Sequence, residues 1–147
     1  MFILEFAKVK DVKSPLRGTS KSAGIDFFVP IGEGTYVAPH ERVLIPSGIK
    51  VNIPSGYSLI AFNKSGIASK SGLDVLACVV DEDYQGEIHL SLVNTSDEGI
   101  YIEVDKKLVQ FVLIPMNYCN IQEKKIEELY SFETTRGSGG FGSTDEK

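Results

Sequence analysis

Apolar residues recur at every second position through much of this 147-residue chain. Phe2, Leu4 and Phe6 alternate with Ile3, Glu5 and Ala7. Ile88, Leu90 and Leu92 alternate with Glu87, His89 and Ser91, and Ile100, Ile102 and Val104 with Tyr101, Glu103 and Asp105. A period of two puts alternate side chains on one face, so each run predicts a short strand with one buried side. Turn residues separate the runs: Gly32-Glu33-Gly34, Pro46-Ser47-Gly48, Pro54-Ser55-Gly56 and Asn94 to Gly99. Many short strands at such spacing predict an all-β antiparallel sandwich, jelly roll or barrel. Helical signal is confined to two places. Ser65 to Lys70 predicts one short turn with Ser65 as its N-cap. Ile126 and Leu129, within Glu123 to Tyr130, have the spacing of a second turn. No internal repeat is present.

A chain of this length builds one core. Hydrophobic residues at 42% and charged residues at 24% exclude disorder of the whole chain. The net charge is -5, from 15 Lys and Arg against 20 Asp and Glu, which argues against a general nucleic-acid binder. Any phosphate site must then rest on a few local cations. Cys78 and Cys119 form no C-x-x-C pair, and His40 and His89 stand apart, so no zinc site is expected. Met1 to Leu4 is too short for a signal peptide and reads as the start of the first strand. No apolar run reaches membrane-spanning length. These features predict a soluble protein of the cytoplasm, or of the host-cell cytoplasm if virus-encoded, with no direct nucleic-acid or membrane partner.

Five short stretches carry chemistry. The tail Arg136-Gly137-Ser138-Gly139-Gly140-Phe141-Gly142-Ser143-Thr144 combines glycines, a guanidinium, a ring and hydroxyls. Glycines let several N–H groups approach one anion, Arg136 fits phosphate oxygens, and Phe141 offers a face to a base. A frayed Gly/Ser terminus is the plainer reading. No Walker-type G-x-x-x-x-G-K-[ST] string occurs. Asp81-Glu82-Asp83-Tyr84-Gln85-Gly86-Glu87 lies between the apolar runs Val75 to Val80 and Ile88 to Val93, and reads as a hairpin with an acidic mouth. It is either a solvated turn or the place where Asp81, ionised at neutral pH, orients a water. Asn63-Lys64-Ser65-Gly66 opens a helical turn suited to an anion, or is simply a capped turn. In Ala23-Gly24-Ile25-Asp26, Asp26 faces away from Ile25 and Phe27, as an ordinary exposed strand residue would. Lys107-Leu108-Val109-Gln110 leads from a turn into the strand Leu108 to Ile114.

In order and spacing these five stretches resemble the five signature motifs of the homotrimeric dUTPases (dUTP diphosphatases), from about residue 15 to the C-terminus. The resemblance implies a jelly roll or distorted β-barrel of short antiparallel strands, the dUTPase-like β-clip. A core of residues 1–130 would carry a flexible glycine-rich arm, 131–147, that crosses to a neighbour's site in the trimer. The implied reaction is hydrolysis of dUTP to dUMP and pyrophosphate by water attack on the α-phosphorus. It keeps uracil out of DNA and supplies dUMP for dTMP synthesis. Asp81 matches the catalytic carboxylate, and Tyr84 the ring that packs on deoxyribose and excludes UTP. Main-chain groups from Ala77 through Cys78 and Val79 to Val80 match those that read uracil. Lys64, Ser65, Gly66 and Gln110 match phosphate contacts. Arg136 matches the arm's arginine, Phe141 the ring that stacks on uracil, and Gly142, Ser143 and Thr144 donors to the outer phosphates. Mg2+ is implied, held mainly by the triphosphate and waters, with Asp26 touching its water shell.

Four positions depart from the family pattern. Lys64 and Lys107 stand where arginine is usual, keeping charge without the bidentate fork. Cys78 and Asp145 stand where glycine is usual. Related dCTP deaminases share the fold, but Asp81-Glu82-Asp83-Tyr84-Gln85-Gly86 and the complete arm motif favour the diphosphatase. A nucleotide-gated binding protein is the non-enzymatic alternative.

Overall fold

A computed structural model describes residues 3–141. Its chain divides into two compact units, Met1–Asn117 and Tyr118–Lys147. The expected core and arm divide later, near residue 130.

The first unit is built from short antiparallel strands, as the period-two pattern predicts. Its largest sheet has five, in the order β2 (Leu16–Arg17), β3 (Ile25–Phe28), β12 (Lys107–Pro115), β7 (Tyr57–Asn63), β9 (Val79–Val80). A three-stranded sheet orders β5 (Arg42–Pro46), β10 (His89–Asn94), β8 (Leu73–Val75). Two ribbons complete it: β1 (Glu5–Lys8) with β6 (Ile49–Asn52), and β4 (Thr35–Val37) with β11 (Ile100–Ile102). Every pairing is antiparallel, and the sheets do not join into a closed barrel.

The core follows the alternation closely along the start of β10 and the residue before it. Ile88, Leu90 and Leu92 are all buried, while His89 faces out. Phe27 of β3 packs on Phe111 of β12 with ring centroids 4.5 Å apart and planes tilted by 47°. Such a pair adds about 1 kcal/mol beyond the area it buries.

Four expectations change. The first strand starts at Glu5, later than expected, and of its apolar face Leu4 packs against the core while Phe6 stays 44% exposed. Phe2 lies outside the described residues. Strand β3 is buried on both sides, so Asp26 is not an exposed strand residue. The runs around the acidic loop do not make one simple hairpin. Val75 pairs with Leu92, but the chain then leaves β10, and Val79 and Val80 pair with Ile60 and Leu59 of β7 instead. Finally, Lys64 occupies the N-cap of α1 (Ser65–Ser71), and Ser65 is the first helical residue. Gly72 ends that helix at φ 68°, a left-handed conformation that favours glycine.

Candidate active site

Register places one group of chemical residues at an end of the five-stranded sheet. Asp26 of β3 lies opposite Gln110 of β12. Lys64 follows directly on the last residue of β7, and Lys107 opens β12. A register shift between Lys107 and Val109 re-aims the start of β12. The Lys64 ammonium donates to Asp26 Oδ1, and Lys107 Nζ lies 3.5 Å from Asp26 Oδ2. Burying a carboxylate is costly unless it is paired, and here two cations share one. Lys107 Nζ also stands 5.6 Å from the centre of the Phe28 ring, within cation–π range.

Gln110 is held just as closely. Its Nε2 donates to the Asn63 carbonyl at 2.8 Å. Gly24 lies directly beneath it, where a Cβ would come within 2.0 Å of Gln110 Oε1. Glycine at 24 is therefore what lets β3 and the glutamine approach. Asn63 in turn ties β7 to β8, through Nδ2 to the Asp74 carboxylate and Oδ1 to the Val75 amide at 2.9 Å. Ser65 and Gly66 are exposed on the first turn of α1.

A second group lies at the opposite edge strand, β9. Ala61 N donates to the Cys78 carbonyl at 2.7 Å. Antiparallel pairing alternates hydrogen-bonded and non-bonded residues. With Ile60 opposite Val79 in register, the Val79 N–H and C=O point away from β7, toward the outer edge of the sheet. A 160 Å³ pocket here is lined by Val79, Val80, Asp81, Tyr84, Glu87, Ile88 and His89. Asp81 is exposed at its mouth. Cys78 is exposed and not among the lining residues, so its side chain does not narrow this pocket; Ala77 precedes it, also exposed.

The acidic loop is not merely solvated. Glu82 Oε2 accepts from the Gly56 amide and Glu87 Oε1 from the Gly48 amide, each at 2.8 Å. Tyr84 N donates to the Asp81 carbonyl at 3.1 Å, closing the turn. The Tyr84 phenol donates to the Glu87 carbonyl at 3.0 Å. Sequence reasoning missed Glu82, Glu87 and Asn63 as supports. Their partners are mainly main-chain groups and a distant carboxylate, which leave no mark in residue type or spacing.

The arm belongs to the second unit. Helix α2 (Ile126–Leu129) fits the expected second turn. Gly137 N donates to the Thr134 carbonyl and Gly139 N to the Arg136 carbonyl, each at 3.0 Å, so Arg136 sits within consecutive turns. Arg136 and Phe141 are exposed. Gly142, Ser143 and Thr144 lie outside the described residues.

Known proteins share this architecture and sequence. A family model described as dUTPase matches residues 10–145. The chain belongs to the dUTPase family. Among curated relatives, the deoxyuridine 5'-triphosphate nucleotidohydrolase of Wolbachia pipientis subsp. Culex pipiens is 36% identical over 92% of this chain and 88% of its own length. That of Chlamydia pneumoniae is 42% identical over 86% of each chain. The dUTPase of Staphylococcus bacteriophage 80alpha, solved with dUPNHPP, superposes with a TM-score of 0.86 over 97% of this chain and 98% of its own, at 23% identity. The dUTPase of phage phi11 of S. aureus superposes at 0.76, over 89% of this chain and all of its own, also at 23% identity. These solved dUTPases share the fold. No helix among the described residues is long and apolar enough to cross a membrane.

Proposed function

We propose that this member of the dUTPase family hydrolyses dUTP to dUMP and pyrophosphate, and that the edge of β9 reads the base. The observation that carries this is the outward N–H and C=O of Val79, beside Asp81 and Tyr84. Uracil presents an N3–H donor next to a carbonyl acceptor. A strand residue offers one acceptor and one donor on the same side, which is the complement. Cytosine presents an acceptor and an amino donor in those places, so both contacts turn repulsive and a buried polar group goes unpaired.

Asp81 then accepts a proton from the water that attacks the α-phosphorus, and the pyrophosphate departs on the far side. Tyr84 closes on the deoxyribose face where a 2'-hydroxyl would stand. Lys64, Ser65, Gly66 and Gln110 take phosphate oxygens. Gln110 is supported for this by its fixed amide, and Lys64 by the Asp26 carboxylate that orients its ammonium. Arg136, Phe141, Gly142, Ser143 and Thr144 act from the arm of another copy in a homotrimer, closing over the nucleotide. The cytoplasm is the compartment this reading implies.

Magnesium in this reading arrives with the triphosphate. Among the described residues no three His, Cys, Asp or Glu side chains gather as metal ligands. A metal-bound water at Asp26 would share the carboxylate with two ammonium groups. In this reading the ion therefore rests with the phosphates and water, the ligands Mg2+ generally prefers to an all-protein cage.

The test is a substrate panel of dUTP, UTP, dCTP and dTTP, with detection of pyrophosphate and ammonia. The reading expects pyrophosphate from dUTP alone. Ammonia from dCTP would instead place the protein with the deaminases, and no turnover would favour a nucleotide-binding role.

A further inference from the structure

The loop that carries Asp81 and Tyr84 is fastened at both ends by its own glutamates. Glu82 holds the Asp81 end to the Gly56 amide, and Glu87 holds the other end to the Gly48 amide. Main-chain bonds reinforce the Glu87 end, with Ile88 N donating to the Ile49 carbonyl and Ser47 N to the Ile88 carbonyl, each at 2.9 Å. The Glu87 charge also reaches Lys10. The pKa of Lys10 is raised first by its hydrogen bond to Glu33, with Glu87 adding a weaker attraction.

Glu87 has a second task, performed by its main chain. Its carbonyl accepts the Tyr84 phenol at 3.0 Å. The Tyr84 ring lies over Gly86, where a Cβ would sit 2.2 Å from the phenol oxygen. One residue therefore links a turn amide on its side-chain oxygen to the phenol on its carbonyl. Without the side-chain bond, the carbonyl keeps the main-chain bond of its own peptide unit to Ile49 and the contact of His89 Nδ1 at 3.0 Å, and the seat of the ring loosens.

We propose that Glu87 is a specificity-determining positioning residue, which fixes the seat of Tyr84 and so sets how strongly the site rejects ribonucleotides. The proposal rests on reading Tyr84 as the sugar gate. A steric gate discriminates only while it cannot retreat, because a hydroxyl needs little extra room. Releasing Glu87 leaves the ring in place but loosens it. The Asp81 end keeps its own tether through Glu82, so discrimination falls further than turnover.

The experiment compares kcat/KM for dUTP and for UTP in the full chain and in Glu87→Ala, Glu87→Asp, Glu87→Gln and Tyr84→Ala. The ratio of the two constants does not depend on how much protein is folded, so a purely structural role leaves it unchanged. The Ala variant removes the acceptor, and the Asp variant keeps the charge but falls one methylene short of Gly48. In both, the dUTP/UTP ratio falls roughly tenfold, the scale of a small steric difference in a pocket. Gln keeps an acceptor oxygen at the same reach, and its ratio stays within about twofold of the parent. Should the Ala variant fail to fold, Asp against Gln decides. Wild-type ratios in Ala and Asp, or an equal loss in Asp and Gln, overturn the proposal while a lowered ratio in Tyr84→Ala leaves the gate standing. An unchanged ratio in Tyr84→Ala removes the gate, and this proposal with it.

Discussion

Gly24 and Gln110 are in such close contact that a single added methyl group would occupy the amide oxygen's place, 2.0 Å from it. Gly24 is buried just before β3, and Gln110 stands opposite Asp26 on β12. Gly24→Ala must therefore push the glutamine off the Asn63 carbonyl. A displaced phosphate contact weakens substrate binding more than chemistry. KM for dUTP rises about tenfold with kcat changed far less, the size of one misplaced hydrogen-bonding group. Steady-state kinetics checks this, and an unchanged KM would remove Gln110 from the phosphate site.

Asp81 is exposed at the mouth of the β9 pocket, so its replacement disturbs little packing. Asp81→Asn keeps the shape and removes the proton acceptor. Turnover falls by at least about a thousandfold, within the usual span of a lost general base, while dUTP still binds. Single-turnover kinetics with calorimetry of binding separates the two effects. Near-normal kcat in this variant would take Asp81 out of its role.

The Asp26 carboxylate is the shared partner of two lysines. Asp26→Ala leaves both ammonium groups without it at the end of the sheet. Losing one member of a fully buried pair costs about 3–5 kcal/mol. Lys64 and Lys107 keep 26% and 40% of their side-chain surface in water, so the cost here is smaller, about 2 kcal/mol. Urea unfolding at fixed protein concentration measures it. A midpoint equal to that of the parent would mean that the two ion pairs add nothing.

Truncation before Arg136 removes the guanidinium, the ring and the terminal hydroxyls while leaving residues 1–135. The strands of the first unit pair entirely among residues 5–115, so the fold survives. The value of kcat/KM for dUTP falls by about a hundredfold or more, as expected when a closing segment that orients phosphates is lost. A pyrophosphate-release assay with sizing of the variant checks both halves, and full activity would contradict a role for the arm.

Much of the strand pattern was legible because alternation reports directly on burial. Ile88, Leu90 and Leu92 read as a core face and are one. Partner choice was not legible. Val75 to Val80 is one apolar run, yet it serves two sheets, since period two says which side is buried but not which strand lies alongside. Asp26 read as exposed because its two lysines are far away in sequence and only the sheet register brings them together. In the candidate site, Asp81 stood out as a carboxylate able to orient a water, whereas Tyr84 and Gln110 came only through the resemblance to the dUTPase motifs. The glutamates of the same loop did not stand out, because a carboxylate bound to a main-chain amide resembles a solvated turn residue until the fold supplies the amide.

The most direct measurement is hydrolysis of dUTP by the purified chain, with magnesium, in water enriched in oxygen-18. Attack on the α-phosphorus places the heavy oxygen in dUMP and leaves pyrophosphate unlabelled. That is the predicted result. Label in pyrophosphate, release of inorganic phosphate in its place, or intact dUTP would contradict it.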